Sequence, residues 1–369
     1  MWNPFSSACL PSAEAGAFMN TGLIAFTVAL LSSLGLTVPV RQLALRVGMV
    51  DQPGPRKVHL QPIPLLGGLA IYLGVLIALL VSLRGPALTQ VLGIFSGATL
   101  VGVVGVLDDR GLLHHQIKLF GAMPAAALIL LATGIRAQVF SSVWPGTAGV
   151  WADTALTLIW VVGITASFSI LDHMDGLCAG IAAVASLFFA IFALESGQLL
   201  VSTMAAAVLG AAAGFLRWNF KPAKIFMGDG GAMFLGFLMA TLALKLRFAQ
   251  PNLVSAWLVP VLILGATIFD TMLVTISRSR RGLLPFATPG KDHAAHRLAN
   301  MGLGQRGAVL TMYMIGAVSG ALALLVSTMP ISFAIVAVVF AVAAALAGVA
   351  YLERAPYERQ VRKPAAATD

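Results

Sequence analysis

Eleven runs of mostly apolar residues divide this chain, at 18–40, 65–83, 88–107, 117–135, 152–171, 176–194, 199–216, 230–246, 253–276, 308–327 and 332–352. About 20 such residues cross a bilayer as one helix. In lipid, every backbone N–H and C=O must find its partner within the spanning element, and a helix does this alone. The pattern therefore predicts an all-α, polytopic membrane bundle of about eleven transmembrane helices. The composition agrees: 10% of residues are charged and 59% hydrophobic, whereas soluble domains carry about 25% charged residues. The connections are short, the longest being 41–64 and 277–307. The chain thus reads as one integral membrane domain over 1–369, with a short tail at 353–369. Residues 1–17 contain no Lys or Arg, so the basic start of a secretory signal is missing and the first helix is expected to be retained. Cys9 and Cys178 form neither a disulfide framework nor a metal motif.

A net charge of +9 raises the question of a nucleic-acid partner, and the distribution of the charge answers it. When the connections are numbered along the chain, the odd ones and the C-terminal tail hold 19 of the 23 basic residues. The other side has only Arg84, Arg136, Lys245 and Arg247. Short basic loops remain in the cytoplasm. The N-terminus is therefore expected outside and the C-terminus inside, with a lipid bilayer and no nucleic acid as partner.

The acids follow the same side. Of 14 acidic residues, only Glu14, Asp153 and Glu195 fall outside. The rest include compact groups at cytoplasmic helix ends: Asp108-Asp109 in VLDDRGLL, Asp172 and Asp175 in ILDHMDGL, Asp229 in IFMGDGGAMFLG and Asp270 in IFDTML. Any one of these fits a polar cap that eases a chain out of lipid. Four groups on one side point to a shared cytoplasmic cleft, because ionisable residues at membrane depth mark function. Adjacent carboxylates repel and need a counter-ion. Carboxylates with open water positions suit Mg²⁺, which binds one or two of them together with substrate phosphates. Gly228, Gly230 and Gly231 flank Asp229 just before a helix, where backbone N–H groups favour phosphate. Gly236 fits close helix packing.

Two longer cytoplasmic loops complete the set. VDQPGPRKVHLQPIPLLGGLAIYLG offers Arg56, Lys57 and His59, and RSRRGLLPFATPGKDHAAHRLANMGL offers Lys291, His293, His296 and Arg297. No Glu completes a zinc-protease pattern. A cationic lid over phosphates fits better, with a basic membrane-surface loop as the bland alternative.

Taken together, DQPGPRKVHLQPIPLLGG, LDDRGLLHHQIKL, ILDHMDGLCAG, FLRWNFKPAKIFMGDGGAMFLG, FDTMLVTISR and GKDHAAHRL resemble the motifs of the polyprenyl-phosphate N-acetylhexosamine-1-phosphate transferase family. The resemblance runs in order from Asp51 to Leu303. It implies a ten- or eleven-helix bundle in the bacterial cytoplasmic membrane with a cytoplasmic active site. It also implies a reaction in which undecaprenyl phosphate attacks the β-phosphorus of a UDP-N-acetylhexosamine, UMP leaves, and a cell-envelope polysaccharide begins on the lipid. The implied cofactor is Mg²⁺, with Mn²⁺ as the alternative, and a homodimer is left open. By motif, the catalytic residues are Asp108, Asp109 and Asp229. The metal set is Asp229, Asp172 and Asp175. The substrate-binding set is Lys57, His59, Lys118, Asn219, Lys224, His293, His296 and Arg297. Within that set Asn219 and Lys224 line the nucleotide, His293, His296 and Arg297 close over the diphosphate, and Lys57 and His59 meet the lipid phosphate.

The chain departs from the family pattern at Ser169, where Asn is frequent, at His173, where Gly or Asn is common, and at Ala232, where the pattern has Ser. HAAH also stands where HxHH is frequent. No departure removes a carboxylate. The nucleophile, a phosphate monoester with a second pKa of about 6, is mostly dianionic at neutral pH and needs no strong base. Positioning and charge neutralisation are the harder tasks. Single displacement is favoured, and an aspartyl-phosphate route stays open. Two rivals are a secondary transporter and a catalytically inactive member of the fold. Transporters keep their sites near the midplane, often between internal repeats. No repeat is visible here and the acids sit at helix ends. The intact acids and His293 speak against an inactive member.

Overall fold

The structure, a computed structural model, describes residues 12–52, 62–113, 115–247, 253–284 and 290–357. Fifteen α-helices appear among them. The first seven are α1 (Ser12–Arg46), α2 (Gly67–Ser82), α3 (Gly85–Asp109), α4 (His115–Ile117), α5 (Met123–Ala132), α6 (Phe140–Val143) and α7 (Thr147–Leu171). The next eight are α8 (Leu177–Glu195), α9 (Leu199–Asn219), α10 (Gly228–Lys245), α11 (Leu253–Ile263), α12 (Gly265–Arg280), α13 (Ala294–Leu298), α14 (Gly304–Thr328) and α15 (Ile331–Leu352). Among the described residues the strands are one two-residue antiparallel pair, β1 (Val50–Asp51) with β2 (Ile63–Pro64).

Each of the eleven apolar runs falls on helix. Seven helices among the described residues are long and apolar enough to cross a membrane, so the chain is an all-α polytopic membrane protein. The run at 253–276 is broken at Leu264 into α11 and α12. The run at 117–135 begins in a π-helical turn, Lys118–Ala122, that joins α4 to α5. Such turns are rare and frequently lie at functional sites.

At the centre stands α10, buried on nearly every side. It packs against α3, α7 and α2, while α9 packs against α1, α8 and α2. Lipid offers no hydrophobic drive between apolar helices, so close approach of small residues supplies the packing. A Cβ on Gly105 would lie 2.6 Å from the carbonyl of Asp229, so only glycine lets α3 meet the start of α10. A Cβ on Gly236 would come within 2.8 Å of Thr165 and Phe168, which bears out its packing role against α7. The outermost helix, α15, leaves Phe333, Val339 and Phe340 exposed, as a lipid-facing surface requires.

Asp153, one of the three acids expected outside, is fully buried near the start of α7. Its carboxylate accepts the N–H groups of Val139 (2.9 Å), Phe140 (2.8 Å) and Ser141 (3.1 Å) and also the Ser141 hydroxyl. It thereby caps α6 and holds that turn on α7. Asp153→Ala orphans three half-buried backbone donors, and we expect a loss of about 2–3 kcal/mol. Thermal unfolding of the detergent-solubilised protein measures it.

Candidate active site

The start of α10 organises the site. Asp109, the last residue of α3, accepts the Asp229 N–H at 2.9 Å on one carboxylate oxygen and the Gly230 N–H at 3.3 Å on the other. A helix N-terminus leaves such donors unpaired and carries partial positive charge, so a carboxylate is the natural cap. Gly228, at φ +76°, makes the turn into the helix, and a Cβ there would strike the Asp109 carboxylate at 2.5 Å. The glycine is required by both conformation and space.

With its backbone fixed, Asp229 presents its carboxylate to two partners. Ser169 Oγ donates to Oδ1 at 2.7 Å, and Lys118 Nζ donates to Oδ2 at 2.6 Å. The same ammonium donates to Asp108 Oδ2 at 2.6 Å. Lys118 thus bridges Asp108 and Asp229 from 10 and 111 residues away. These three side chains are 15–22% exposed, which leaves them reachable from the cleft. Asp172 completes the group from the end of α7. Burial, then the charges of Asp229, Asp109 and Asp175, push its carboxyl up to about 8, against a hydrogen bond from the Gly228 backbone. Four acids therefore stand together here, two of them, Asp108 and Asp229, bonded to the Lys118 ammonium, and their oxygens form a hard donor set.

The turn at 172–176 between α7 and α8 is anchored from several sides. Asn219 Oδ1 accepts the Gly176 N–H and its Nδ2 donates to the Ile225 carbonyl, both at 3.0 Å. Tyr313 donates its hydroxyl to the Gly176 carbonyl. Asp175 accepts the Ala223 N–H at 3.1 Å and has Lys221 Nζ at 3.7 Å. Asn219, expected to line a nucleotide, has both ends of its buried amide on backbone. Lys224 is exposed, with its ammonium 5.5 Å from the Trp218 ring centroid. Pro64 and Leu65 pair with Phe226, two residues before α10. Lys57 and His59 lie outside the described residues.

Beyond that turn is a second cluster. Asp270 is buried on α12. Its Oδ2 lies 2.8 Å from His293 Nδ1 and 4.0 Å from His173 Nε2, and its Oδ1 accepts the Ala294 N–H at 2.7 Å. The His173 ring lies 4.0 Å from that of His293 and 4.7 Å from that of His296, centroid to centroid. Burial, then the nearby His293 and His296, hold His173 well below the usual imidazole range. Both its ring nitrogens are buried without a hydrogen bond among the described residues, a cost of about 1–3 kcal/mol for each unmet group.

Arg297 has a different task from the one expected. It is fully buried. Its guanidinium donates to the carbonyls of Asp292 and Leu352, to Glu353 and to Ser277, and stacks 3.9 Å over Tyr357. Its donors are spent on these partners rather than on the cleft, and it binds the 290–298 segment to the C-terminal end of α15. Beside it, Arg278 and Arg281 clamp Asp292. Burial opposes the charge on that carboxyl, but the two guanidiniums outweigh burial and lower it to about 2. The residue motif reasoning missed is Ser169: read as a departure from a pattern, it is a direct donor to Asp229.

The family described as Glycosyl transferase family 4 matches residues 91–247, the stretch that carries Asp108, Asp109, Lys118, Asp172 and Asp229. A "Probable undecaprenyl-phosphate N-acetylglucosaminyl 1-phosphate transferase" of Bacillus subtilis is 38% identical over 296 residues, covering 80% of this chain and 82% of its own. The "Decaprenyl-phosphate N-acetylglucosaminephosphotransferase" of Mycolicibacterium smegmatis is 33% identical, covering 79% and 78%. At 26%, over 77% and 78%, stands the "Undecaprenyl-phosphate alpha-N-acetylglucosaminyl 1-phosphate transferase" of Escherichia coli O157:H7. With its acids, lysine and glycines assembled at one helix terminus and relatives of this similarity along four-fifths of its length, the chain belongs to glycosyl transferase family 4.

Proposed function

We propose that this chain transfers an N-acetylhexosamine 1-phosphate from a UDP-sugar to undecaprenyl phosphate, releasing UMP and leaving a lipid-diphosphate-sugar. The observation that carries the reading is the Lys118 ammonium held between Asp108 and Asp229 at the first turn of α10. Donors that bind a diphosphate and acids that bind its counter-cation meet there. The names of the relatives supply the substrate class. The gathering of Asp108, Asp109, Asp172, Asp229, Asp270 and His293 around one turn supports their lying on one membrane face. With the charge asymmetry, that favours eleven spans, an outer N-terminus and a cleft on the cytoplasmic side of a bacterial inner membrane. The product would begin a cell-envelope polysaccharide.

The residues divide the work. Lys118 neutralises oxygens of the incoming phosphates. Asp109 fixes the α10 N-terminus, whose dipole favours the developing anion. Ser169 orients Asp229, and Asn219 and Asp175 hold the turn that presents Asp172. The acceptor phosphate is mostly dianionic at neutral pH, so in-line approach needs alignment more than deprotonation. Asp108 is placed to take a residual proton. Asp229 and Asp172 offer the oxygen donors that suit Mg²⁺, and Mg²⁺, when bound, neutralises the diphosphate and polarises it for displacement.

Two outcomes test this. Purified protein given a panel of UDP-sugars with undecaprenyl phosphate and Mg²⁺ should release UMP and yield a lipid-diphosphate-sugar identified by mass, and Asp229→Asn should abolish both. No lipid product from any UDP-N-acetylhexosamine contradicts the reading and leaves the inactive-member alternative. The second concerns pH. A carboxyl raised from about 3.9 to about 8 keeps its proton in the folded state where the unfolded chain has lost it. Metal-free protein should therefore lose stability as pH rises from about 4 to about 8. Mg²⁺ must displace that proton, so its stabilisation should be larger at pH 8 than at pH 6. Asp172→Asn should flatten both trends in thermal-shift measurements.

A further inference from the structure

Asp270 Oδ2 is a hub with two imidazole nitrogens around it, His293 Nδ1 at 2.8 Å and His173 Nε2 at 4.0 Å. The ligand atoms of the three residues all lie within 4.8 Å of one another. They come from three separate places: α12, the start of α13, and the turn between α7 and α8. Asp270 and His293 are 1% and 4% exposed. His173 stands out in this group. Both of its ring nitrogens are buried and unpartnered among the described residues, and buried polar groups in folded proteins are almost always satisfied.

We infer that His173, Asp270 and His293 form a second divalent-metal site, of the zinc class and distinct from the carboxylate site at Asp229. The donors decide the metal. Two imidazoles and one carboxylate suit Zn²⁺, whereas Mg²⁺ takes oxygen ligands and keeps several waters. The cation would take the place of the proton between His293 Nδ1 and Asp270 Oδ2, and that proton would move to His293 Nε2, so that the ring ligates as a neutral imidazole. It would also give His173 Nε2 its partner. A water or His296, whose ring lies 4.7 Å from that of His173, supplies the remaining position. One cation stands close: Arg278 Nη2 is 3.5 Å from His293 Nε2. Its charge is met by Asp292, which accepts from Arg278 Nε at 3.0 Å and from Nη2 at 2.7 Å. The Asp270 Oδ1–Ala294 N–H bond fixes the ligating carboxylate from behind, as outer hydrogen bonds do in metal sites. The consequence would be a metal pin joining α12 and the 290–298 segment to the turn that presents Asp172, one residue from His173.

The test uses the full-length protein in detergent with saturating Mg²⁺, probed with Zn²⁺ and with Co²⁺. One Zn²⁺ per chain should survive excess Mg²⁺, in wild type and in Asp229→Asn alike. His173→Asn should weaken it at least about a hundredfold and remove the visible ligand-field absorption of the Co²⁺ form. X-ray absorption of the Zn²⁺-loaded wild type needs no variant, and it should show imidazole scattering from two histidines. Equal Zn²⁺ retention by wild type and His173→Asn, loss of the Zn²⁺ in Asp229→Asn, or an oxygen-only shell would each overturn the site.

Discussion

The carboxylate of Asp109 closes the N-terminus of α10, and the geometry of the cleft follows from that contact. An unpaired helix start buried in a membrane bundle is costly. The last residue of α3 removes the cost by accepting the N–H groups of Asp229 and Gly230. The close approach is possible only because Gly105, Gly228 and Gly230 have no side chain to collide. The Asp229 side chain then has one direction to point, towards Ser169 and Lys118. Asp109 and Asp108 are neighbours in the chain, yet one faces the helix end and the other the lysine. Two adjacent acids thus avoid competing for one counter-ion.

Electrostatics accounts for a site assembled from so many segments. No single helix end in lipid tolerates several carboxylates without compensation. Here the charges are distributed over α3, the turn after α7 and the start of α10, and are answered by Lys118 and by the N–H groups at the start of α10. The turn at 172–176 joins the two halves of this arrangement. Asp172 belongs to the acid group, His173 to the imidazole cluster on Asp270, and Gly176 to the anchors Asn219 and Tyr313.

Much of this is legible in the sequence, for identifiable reasons. Apolar length fixes where helices run, so all eleven runs fall on helix. It cannot show a break such as that at Leu264, because the residues there stay apolar on both sides. The acids are legible because a carboxylate at membrane depth costs too much to persist without a role. Asn219 and Arg297 are not. Their partners are the backbone of Gly176 and Ile225, and the carbonyls of Asp292 and Leu352 with Ser277 and Glu353, and a residue pattern carries no record of which carbonyl a side chain will meet. Ser169 is visible only as a departure from a motif, and the structure turns it into a donor to Asp229. His173 is the reverse: a departure whose two nitrogens find no partner among the described residues.

The claim on which this account rests is that Asp109 acts on α10 through its N-terminus. Amide hydrogen exchange across the first turn of α10, compared between Asp109→Ala and Asp108→Ala, tests it most directly. A cap worth about 1–2 kcal/mol predicts roughly tenfold faster exchange at Asp229 and Gly230 when Asp109 is lost, with no such change when Asp108 is lost. Equal exchange in the two variants would contradict the account.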